Sequence, residues 1–379
     1  MDHLSEILKI LDGALRHNIE QAVSYAGLLA EKLERDGEAG QAKLIRQRLA
    51  KLPQTQVAAQ LAEIGPPRDR ESAVPMADES FPDESALHLV LAPPVRERLE
   101  EFLLAIKSHD RLAAEGFELP ARLLLHGPPG CGKTLIARWI AARLNLSLLT
   151  VRCDSLISSL LGQSSRNLRL VFEHAESRPC VLFLDEFDAL GKARSDEREV
   201  GELQRIVISV LQNIDALSPA TILIGATNHE ELLDRAVWRR FTMALPILLP
   251  GRLEREDLWR QKLGRFAPAD TETVALLGRF SERLSGAAIE TVAYECVREA
   301  VVHNMDSLSI PAVMRRIART RALTAGEGPR DEVEEIRLLR DWAPEVFTYR
   351  ALESLFKRSA RQVRNALEVR DEPHRQSHS

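Results

Sequence analysis

Cysteine is scarce in this chain of 379 residues, because there are only four cysteines and no two of them form a CxxC pair. Scattered cysteines supply neither a zinc site nor a disulfide framework, so a reducing compartment is expected. Long apolar runs are also lacking, and none approaches the roughly 20 residues that cross a bilayer. The N-terminus mixes acids with its apolar residues, unlike a secretory signal. We therefore expect a cytoplasmic protein without a membrane span.

No charge of one sign dominates, since 51 Lys and Arg stand against 56 Asp and Glu, for a formal net charge of −5. Whole-chain electrostatics therefore favour neither a nucleic acid nor a membrane surface as partner, and any such partner needs a local basic patch. Hydrophobic residues make up 45% of the chain, which is ample for burial. The length suggests about two or three domains.

Composition changes along the chain and indicates five segments. Residues 1–52 carry apolar side chains at helical spacing and predict a small helical module, whereas residues 53–84 are rich in Pro, Gly and charge, as in an extended linker. In residues 85–250 short apolar runs alternate with longer helical stretches, which is typical of a parallel α/β sheet with helices on both faces. Residues 251–325 and 331–370 predict helices only.

A glycine-rich run, GPPGCGKT, occupies Gly127 to Thr134 and fits the pattern GxxxxGK[ST] between an apolar strand and a helical stretch. Gly127, Gly130 and Gly132 let the backbone curl, so that successive N–H groups converge on phosphate oxygens at a helix N-terminus. Lys133 adds a positive charge for the β- and γ-phosphates, and the Thr134 hydroxyl can ligate Mg²⁺. The run therefore predicts a nucleoside triphosphate site.

The other residues of this loop complete the predicted nucleotide contact; they are Pro128, Pro129, Cys131 and Leu135. Cys131 occupies a free position of the pattern, where we predict a small filler instead of a reactive thiol. The competing interpretation is a glycine-rich turn that carries a lysine by chance. The strand before the loop and the helix after it favour the phosphate-binding interpretation.

Two further strands end in polar residues. CVLFLDEF places Asp185 and Glu186 at the carboxyl end of a buried strand, where ligands of open α/β sheets bind. We predict that Asp185 holds Mg²⁺ through water, that Glu186 polarises the attacking water, and that Asp188 is structural or solvated. TILIGA ends at Thr227 and Asn228. The Asn228 amide is predicted to sense the γ-phosphate, although an Asn after a strand is usually a turn residue.

These three strand ends, followed by LLDRAVWRRF, resemble the AAA subfamily of AAA+ ATPases over roughly Leu89 to Leu323. By that resemblance GPPGCGKT is Walker A, VLFLDE is Walker B and Asn228 is sensor 1. Arg239 and Arg240 resemble arginine fingers that reach the nucleotide of a neighbouring subunit, where a guanidinium stabilises charge on the transferring phosphoryl group. Which of the two is the finger stays open, and so does the alternative of a solvated basic pair.

The resemblance also implies a P-loop NTPase sheet followed by an all-helical lid, with further helical segments at both termini. In that lid Gly286 and Ala287 are expected near the nucleotide. Leu160, Leu161 and Gly162 match the substrate-gripping pore loop, although the family usually has an aromatic residue there, so threading and gentler remodelling are both open. The implied cofactors are ATP and Mg²⁺, and the implied assembly is a homo-oligomer, a hexamer.

The two ends of the chain leave alternatives open. The N-terminal helices are predicted to dock a client protein, or else to stabilise or oligomerise the chain. Near the C-terminus YRALESLFKRSARQVRNALE resembles a helix-turn-helix. Its second helix would be capped by Ser359. The predicted packing residues are Leu352, Phe356, Val363 and Leu367, and the predicted outward basic residues are Lys357, Arg358, Arg361 and Arg364.

The predicted function is therefore an AAA-type ATPase that couples Mg-ATP hydrolysis in an oligomeric ring to remodelling of a protein partner. One alternative is a nucleotide-controlled, DNA-associated switch that uses the C-terminal segment. Another is an adaptor ATPase that serves a separate protease or effector, because the chain lacks a protease motif such as HExxH or GxSxG. The sequence identifies no client.

Overall fold

The computed structural model describes residues 3–15, 19–50, 76–117, 119–153, 164–189, 200–326 and 328–368. It divides into two compact units, Met1–Leu248 and Leu249–Ser379. The sequence predicts a boundary at residue 250, two residues after this division, and all the predicted domain limits stay predictions. None of the described helices is both long enough and apolar enough to cross a bilayer.

The first unit contains a six-stranded sheet among its described residues, in the order β1-β3-β4-β5-β2-β6. The strands are β1 (Asp78–Ser80), β2 (Arg122–His126), β3 (Ser147–Arg152), β4 (Cys180–Asp185), β5 (Ile222–Thr227) and β6 (Met243–Pro246). β2 to β6 pair in parallel, and β1 pairs antiparallel with β3. The carboxyl ends of β2, β4 and β5 therefore share one edge of the sheet, where ligands of such folds bind.

Helices cover both faces of the sheet. Those of the first unit are α1 (Leu4–Leu15), α2 (Ile19–Arg35), α3 (Ala39–Leu49), α4 (Pro93–Lys107), α5 (His109–Ala114), α6 (Lys133–Leu144), α7 (Ser164–Ser177), α8 (Val200–Ala216) and α9 (Arg235–Trp238). In β2, Leu123 and Leu125 join a core with α4 and α6, whereas Leu124 joins a core with α7 and α8. This alternation confirms the predicted α/β class.

β1 lies within the segment 53–84 that the sequence assigns to a linker, of which 53–75 lie outside the described residues. Its register pairs Glu79 with Leu149, and the Glu79 carboxylate accepts a hydrogen bond of 3.0 Å from Arg178. The three residues of β1 are all polar and do not alternate with apolar residues, so the sequence does not predict this strand. Pairing with β3 and a largely buried ion pair hold it at the sheet edge.

Among the described residues of the second unit, helices are the only regular secondary structure. Its helices are α10 (Arg252–Leu263), α11 (Thr271–Phe280), α12 (Gly286–Val302), α13 (Ile310–Ala325), α14 (Glu332–Trp342), α15 (Tyr349–Phe356) and α16 (Ala360–Glu368). This confirms the predicted all-helical region. One core joins the helices before residue 326 to those after residue 331; it includes the buried Trp259, Met314, Leu339 and Phe347.

Glu335 links α14 to α13 within this unit. Its side chain is buried and accepts paired hydrogen bonds from Arg315, at 2.8 and 2.7 Å, and from Arg319, at 2.5 and 2.9 Å. Burial by itself raises the pKa of Glu335, but the hydrogen bonds and charges of the two arginines outweigh it and lower the pKa below its ordinary value. The C-terminal helices are thus joined to α13 by charge-assisted bonds.

We expect Glu335→Gln to lower the free energy of unfolding of this unit by about 2–3 kcal/mol, because bonds to a charged, buried acceptor are lost. Since the pKa of Glu335 is depressed in the folded state, its stabilisation is present above the unfolded carboxyl pKa of about 4.3 and is lost as the pH falls through the folded value. Urea unfolding across this pH range measures the effect. Glu332→Gln, which breaks the exposed pair with Arg358, is the matched control and should matter little. Equal losses in the two variants would contradict the expectation.

Candidate nucleotide site

The glycine-rich run forms a loop between β2 and α6. Three of its glycines adopt positive φ, 138° at Gly127, 75° at Gly130 and 93° at Gly132, which L side chains rarely adopt. A Cβ on Gly127 would also overlap the carbonyl oxygen of Ile247. The loop ends where α6 begins at Lys133. Its geometry is therefore that of an anion-binding turn at a helix N-terminus.

Lys133 is held inside the curve of this loop. Its side chain is 7% exposed, and Nζ donates hydrogen bonds to the carbonyls of Gly127, at 2.6 Å, and Pro128, at 2.8 Å. Burial lowers the pKa of Lys133, while Cys131 and Asp185 act in the opposite direction. The ammonium is thus placed to meet phosphate oxygens that enter the loop. Burial also raises the pKa of the Cys131 thiol, which keeps it protonated, as suits a small filler.

The two predicted metal ligands lie together. Thr134, on the first turn of α6, donates through Oγ1 to Oδ2 of Asp185 at 3.1 Å. Within the described ranges, no group of three or more His, Cys, Asp or Glu side chains could hold a metal. A hydroxyl and one carboxylate suit Mg²⁺, which keeps several waters and takes further oxygens from substrate phosphates. The donor set therefore fits a Mg-nucleotide and does not form a complete protein metal site.

Glu186 follows Asp185 in a backbone conformation with φ 54°, uncommon for a residue other than glycine. Its amide donates to Oδ1 of Asp185 at 2.9 Å. The Arg152 guanidinium lies 3.7 Å from the Glu186 carboxylate. The sequence does not predict this neighbour. Its position follows from the parallel register, which places Arg152 beside Asp185.

Asp188 connects this turn to the end of β5. It is 4% exposed, and its Oδ1 accepts from Thr227 Oγ1 and from the Asn228 amide, both at 3.3 Å. Of the two interpretations that the sequence leaves open, the structure therefore favours a structural acid. The half-buried Asn228 follows β5 at the same sheet edge as Asp185. Its contact with the γ-phosphate stays a prediction.

We expect Asp188→Ala to lower ATP turnover about tenfold, because the Asn228 backbone loses its anchor and small displacements of catalytic groups slow reactions strongly. Asp188→Asn keeps an oxygen acceptor at the same place and should restore much of the rate. Steady-state kinetics of both variants, with nucleotide affinity measured in parallel, make the comparison. Similar rates for Asp188→Ala and the unchanged chain would argue against a positioning role.

Arg239 and Arg240 are adjacent in sequence but differ in their contacts. The Arg240 guanidinium forms paired hydrogen bonds with Asp215, at 3.2 and 2.9 Å, and donates to the Ala236 carbonyl at 2.7 Å. The Arg239 side chain is exposed and has no ion pair with any of the described residues. The two arginines are therefore not equivalent, which the sequence does not reveal.

Other predicted site residues belong to the second unit or lie outside the described residues. Leu160, Leu161 and Gly162 are outside the described residues. Gly286 and Ala287 form the first turn of α12, which Ser285 caps by accepting from the Ala288 amide at 3.3 Å. The predicted contact of Gly286 and Ala287 with the nucleotide stays a prediction.

The predicted C-terminal helix pair forms as α15 and α16. Ser359 accepts from the Gln362 amide at 3.4 Å, and the Gln362 side chain accepts from the Ser359 amide at 3.0 Å, a reciprocal N-cap. Arg358 is paired with Glu332 at 2.7 Å, whereas Arg361 and Arg364 are exposed. DNA contact stays a prediction. The double variant Arg361→Glu, Arg364→Glu tests DNA contact, because it should lose salt-dependent DNA binding if these arginines meet phosphates. A deletion is a poorer test, since α14 to α16 share the core of their unit.

Known proteins resemble this chain over the region of the site. An uncharacterized AAA family ATPase of Sinorhizobium fredii is 36% identical over 243 residues, which are 61% of this chain and 70% of that protein. A proteasome-activating nucleotidase of Aeropyrum pernix is 31% identical over 251 residues, 64% of this chain and 61% of that protein. The nuclear valosin-containing protein-like of Mus musculus is 36% identical over 199 residues, 52% of this chain and 21% of that protein.

The fold and a family model agree with these relatives. The crystal structure of the FIGL-1 AAA domain superposes with a TM-score of 0.54 at 22% identity, covering 71% of this chain and 92% of that domain, and so shows a shared fold. Residues 123–248 match the model of the ATPase family associated with various cellular activities (AAA). This range includes the loop, both acids and the arginine pair. The chain belongs to the AAA family of ATPases and is an ATP hydrolase.

Proposed function

We propose that the chain works as a homo-oligomeric ring, a hexamer, that couples Mg-ATP hydrolysis to remodelling of a protein partner. The observation that carries this proposal is the exposed Arg239, which forms no ion pair with the described residues and lies on the same unit as a phosphate loop and its acids. A guanidinium that finds no anion among the described residues of its own chain is suited to an anion on a neighbouring copy. The relative named a proteasome-activating nucleotidase supports a protein partner.

In the proposed reaction the loop of Gly127 to Leu135 binds the triphosphate through its amides. Lys133 moves from the loop carbonyls to the β- and γ-phosphates, which are stronger acceptors because they are charged. Thr134 and Asp185 would hold Mg²⁺, which neutralises charge between the phosphates when bound. Glu186 orients the attacking water and accepts its proton, and Asn228 holds that water on its other side.

Arg239 and Arg240 receive different roles in this proposal. Arg239 is the finger that reaches the γ-phosphate of the neighbouring subunit and stabilises the charge of the transition state. Arg240 is a positioning residue. Its paired hydrogen bonds to Asp215 and its hydrogen bond to the Ala236 carbonyl hold the short helix α9 in place. Arg239 directly follows that helix, so these bonds also position Arg239.

The partner is expected to be a polypeptide gripped by Leu160, Leu161 and Gly162. Leucine side chains would gain about 1.5–3 kcal/mol each from full burial against a client. They lack the broad face of an aromatic ring, so remodelling is favoured over strong threading. A second candidate, an ATPase that feeds a separate protease, is favoured by the same nucleotidase relative. Co-purification of a protease with the full chain tests it, and its absence would count against it.

Turnover per chain should rise with protein concentration and then level off, because each site is complete only beside a second copy. Sedimentation of the same samples should show the assembled species over the same concentration range. Arg239→Lys is a useful control, since it keeps the charge but loses the planar fork of donors. If a strictly monomeric sample hydrolyses ATP at the same rate per chain, the ring proposal fails.

A further inference from the structure

His126 is the last residue of β2 and directly precedes Gly127, the first residue of the phosphate loop. Its backbone is held by both neighbouring strands. In the sheet register it lies beside Thr227 of β5, and its carbonyl accepts a hydrogen bond of 2.7 Å from the Ile247 amide. The Gly127 amide in turn donates to the Thr227 carbonyl at 3.3 Å. Backbone hydrogen bonds therefore fix the start of the loop without the His126 side chain.

The His126 side chain contacts two segments that lie far along the chain. It is 14% exposed, and its Nδ1 donates a hydrogen bond to Oε2 of Glu230, because an ionised carboxylate can only accept. The imidazole also meets the Trp238 ring, with the two centroids 5.2 Å apart and the planes at 76°. Nearly perpendicular rings at this separation attract each other. One imidazole thus joins the phosphate loop to two other segments.

Both of these segments carry groups that the proposed reaction uses. Glu230 is two residues after Asn228, and Trp238 is the last residue of α9, directly before Arg239. Trp238 is half-buried and packs against the apolar core on one face of the sheet. The hydrogen bond of His126 therefore holds the segment that follows Asn228, and its ring contact holds the helix that precedes Arg239. The sequence does not predict either contact.

We propose that His126 is a positioning residue, which keeps Asn228 and Arg239 at fixed places relative to the phosphate loop and so sets the rate of ATP hydrolysis. This inference rests on the roles proposed above for Asn228 and Arg239. The triphosphate itself is bound by the loop amides and Lys133, whose positions the backbone contacts of the loop maintain. Loss of the imidazole should therefore slow turnover and leave nucleotide affinity nearly unchanged. A residue that only shapes the loop would affect both quantities together.

His126→Ala removes both contacts. We expect it to lower turnover at saturating Mg-ATP about tenfold or more, and to change the affinity for a non-hydrolysable ATP analogue by less than about twofold. His126→Phe keeps a ring beside Trp238 and should recover part of the rate. Sedimentation of each sample shows that the compared proteins are equally assembled. His229→Ala is the matched control, because His229 is an exposed histidine paired with Glu231 at 3.0 Å, and it should change neither quantity.

Glu230→Ala adds a second route that does not disturb the core, because Glu230 is exposed. It should lower turnover about threefold, as expected for the loss of one hydrogen bond. Its combination with His126→Phe should be no slower than the slower of the two single variants, since both remove the same hydrogen bond. Glu231→Ala, which changes the neighbouring exposed acid, should be neutral.

The proposal is overturned if His126→Ala hydrolyses ATP at the rate of the unchanged chain, or if its nucleotide affinity falls as much as its turnover. It is also overturned if Glu230→Ala is no slower than Glu231→Ala, a comparison that holds even if His126→Ala does not fold. Failure of the ring proposal gives a different result, equal turnover per chain in monomeric and assembled samples. The ratio of each variant to the unchanged chain still decides the role of His126 in that case.

Discussion

Glu186→Gln is expected to bind Mg-ATP as the unchanged chain does and to lower ATP turnover by about a hundredfold or more. Gln keeps the size and one oxygen of the side chain, whereas it cannot accept the proton of the attacking water. Lys133, Thr134 and Asp185 are unaffected and still bind the triphosphate and metal. Phosphate release and nucleotide affinity, measured on one preparation, separate the two effects.

Glu173→Gln is the matched control, because Glu173 is an exposed acid paired with Arg169 on α7. Glu173→Gln should change neither the ATP turnover nor the nucleotide affinity. Normal turnover in Glu186→Gln would mean that another group activates the water. Since the variant holds ATP without consuming it, a protein partner retained from a cell extract would also identify the client.

Arg239→Ala is expected to lower turnover by about a thousandfold while ATP affinity is largely kept, because the finger acts on charge that develops in the transition state. The sharper test mixes two inactive variants. A subunit with Arg239→Ala keeps its own Glu186, and a subunit with Glu186→Gln keeps its own Arg239. If the finger acts between subunits, mixed assemblies regain activity. No recovery in mixtures that sediment as one assembly would place the finger within its own chain.

The positioning role of Arg240 has a separate signature. Arg240→Ala and Asp215→Asn remove the two sides of one paired contact, so both should slow turnover by a similar and smaller factor than Arg239→Ala. The double variant should be little worse than either single one. If Asp215→Asn is harmless while Arg240→Ala abolishes turnover, then Arg240 is the finger and the assignment is reversed.

Local patterns predict much of this architecture and the residues of the loop. The run from Gly127 to Thr134 carries its own glycines, lysine and hydroxyl, and the acids follow a continuous apolar strand, so both features are visible within a few residues. The α/β class, with helices on both sheet faces, follows from alternating apolar runs in the same way and is confirmed. Membership of the AAA family, which several such runs in a fixed order predict, is confirmed by the relatives and by the family model.

What the sequence does not predict depends on contacts between distant residues. Arg152 meets Glu186 only because β3 and β4 pair in one register, and Asp188 meets Asn228 only because β4 lies beside β5. Arg239 and Arg240 differ in their contacts because Asp215, on α8, lies beside Arg240 and accepts its hydrogen bonds. Such pairings are decided by tertiary packing, which neither periodicity nor spacing encodes.

The most direct test of the central claim is calorimetric titration of the folded chain with a non-hydrolysable ATP analogue and Mg²⁺. We predict saturable binding at one site per chain, weakened when Mg²⁺ is removed and lost in Lys133→Ala, whose ammonium lies inside the loop. Well-folded protein that takes up no nucleotide, or that binds it equally well in Lys133→Ala, would contradict the assignment of this loop as the triphosphate site.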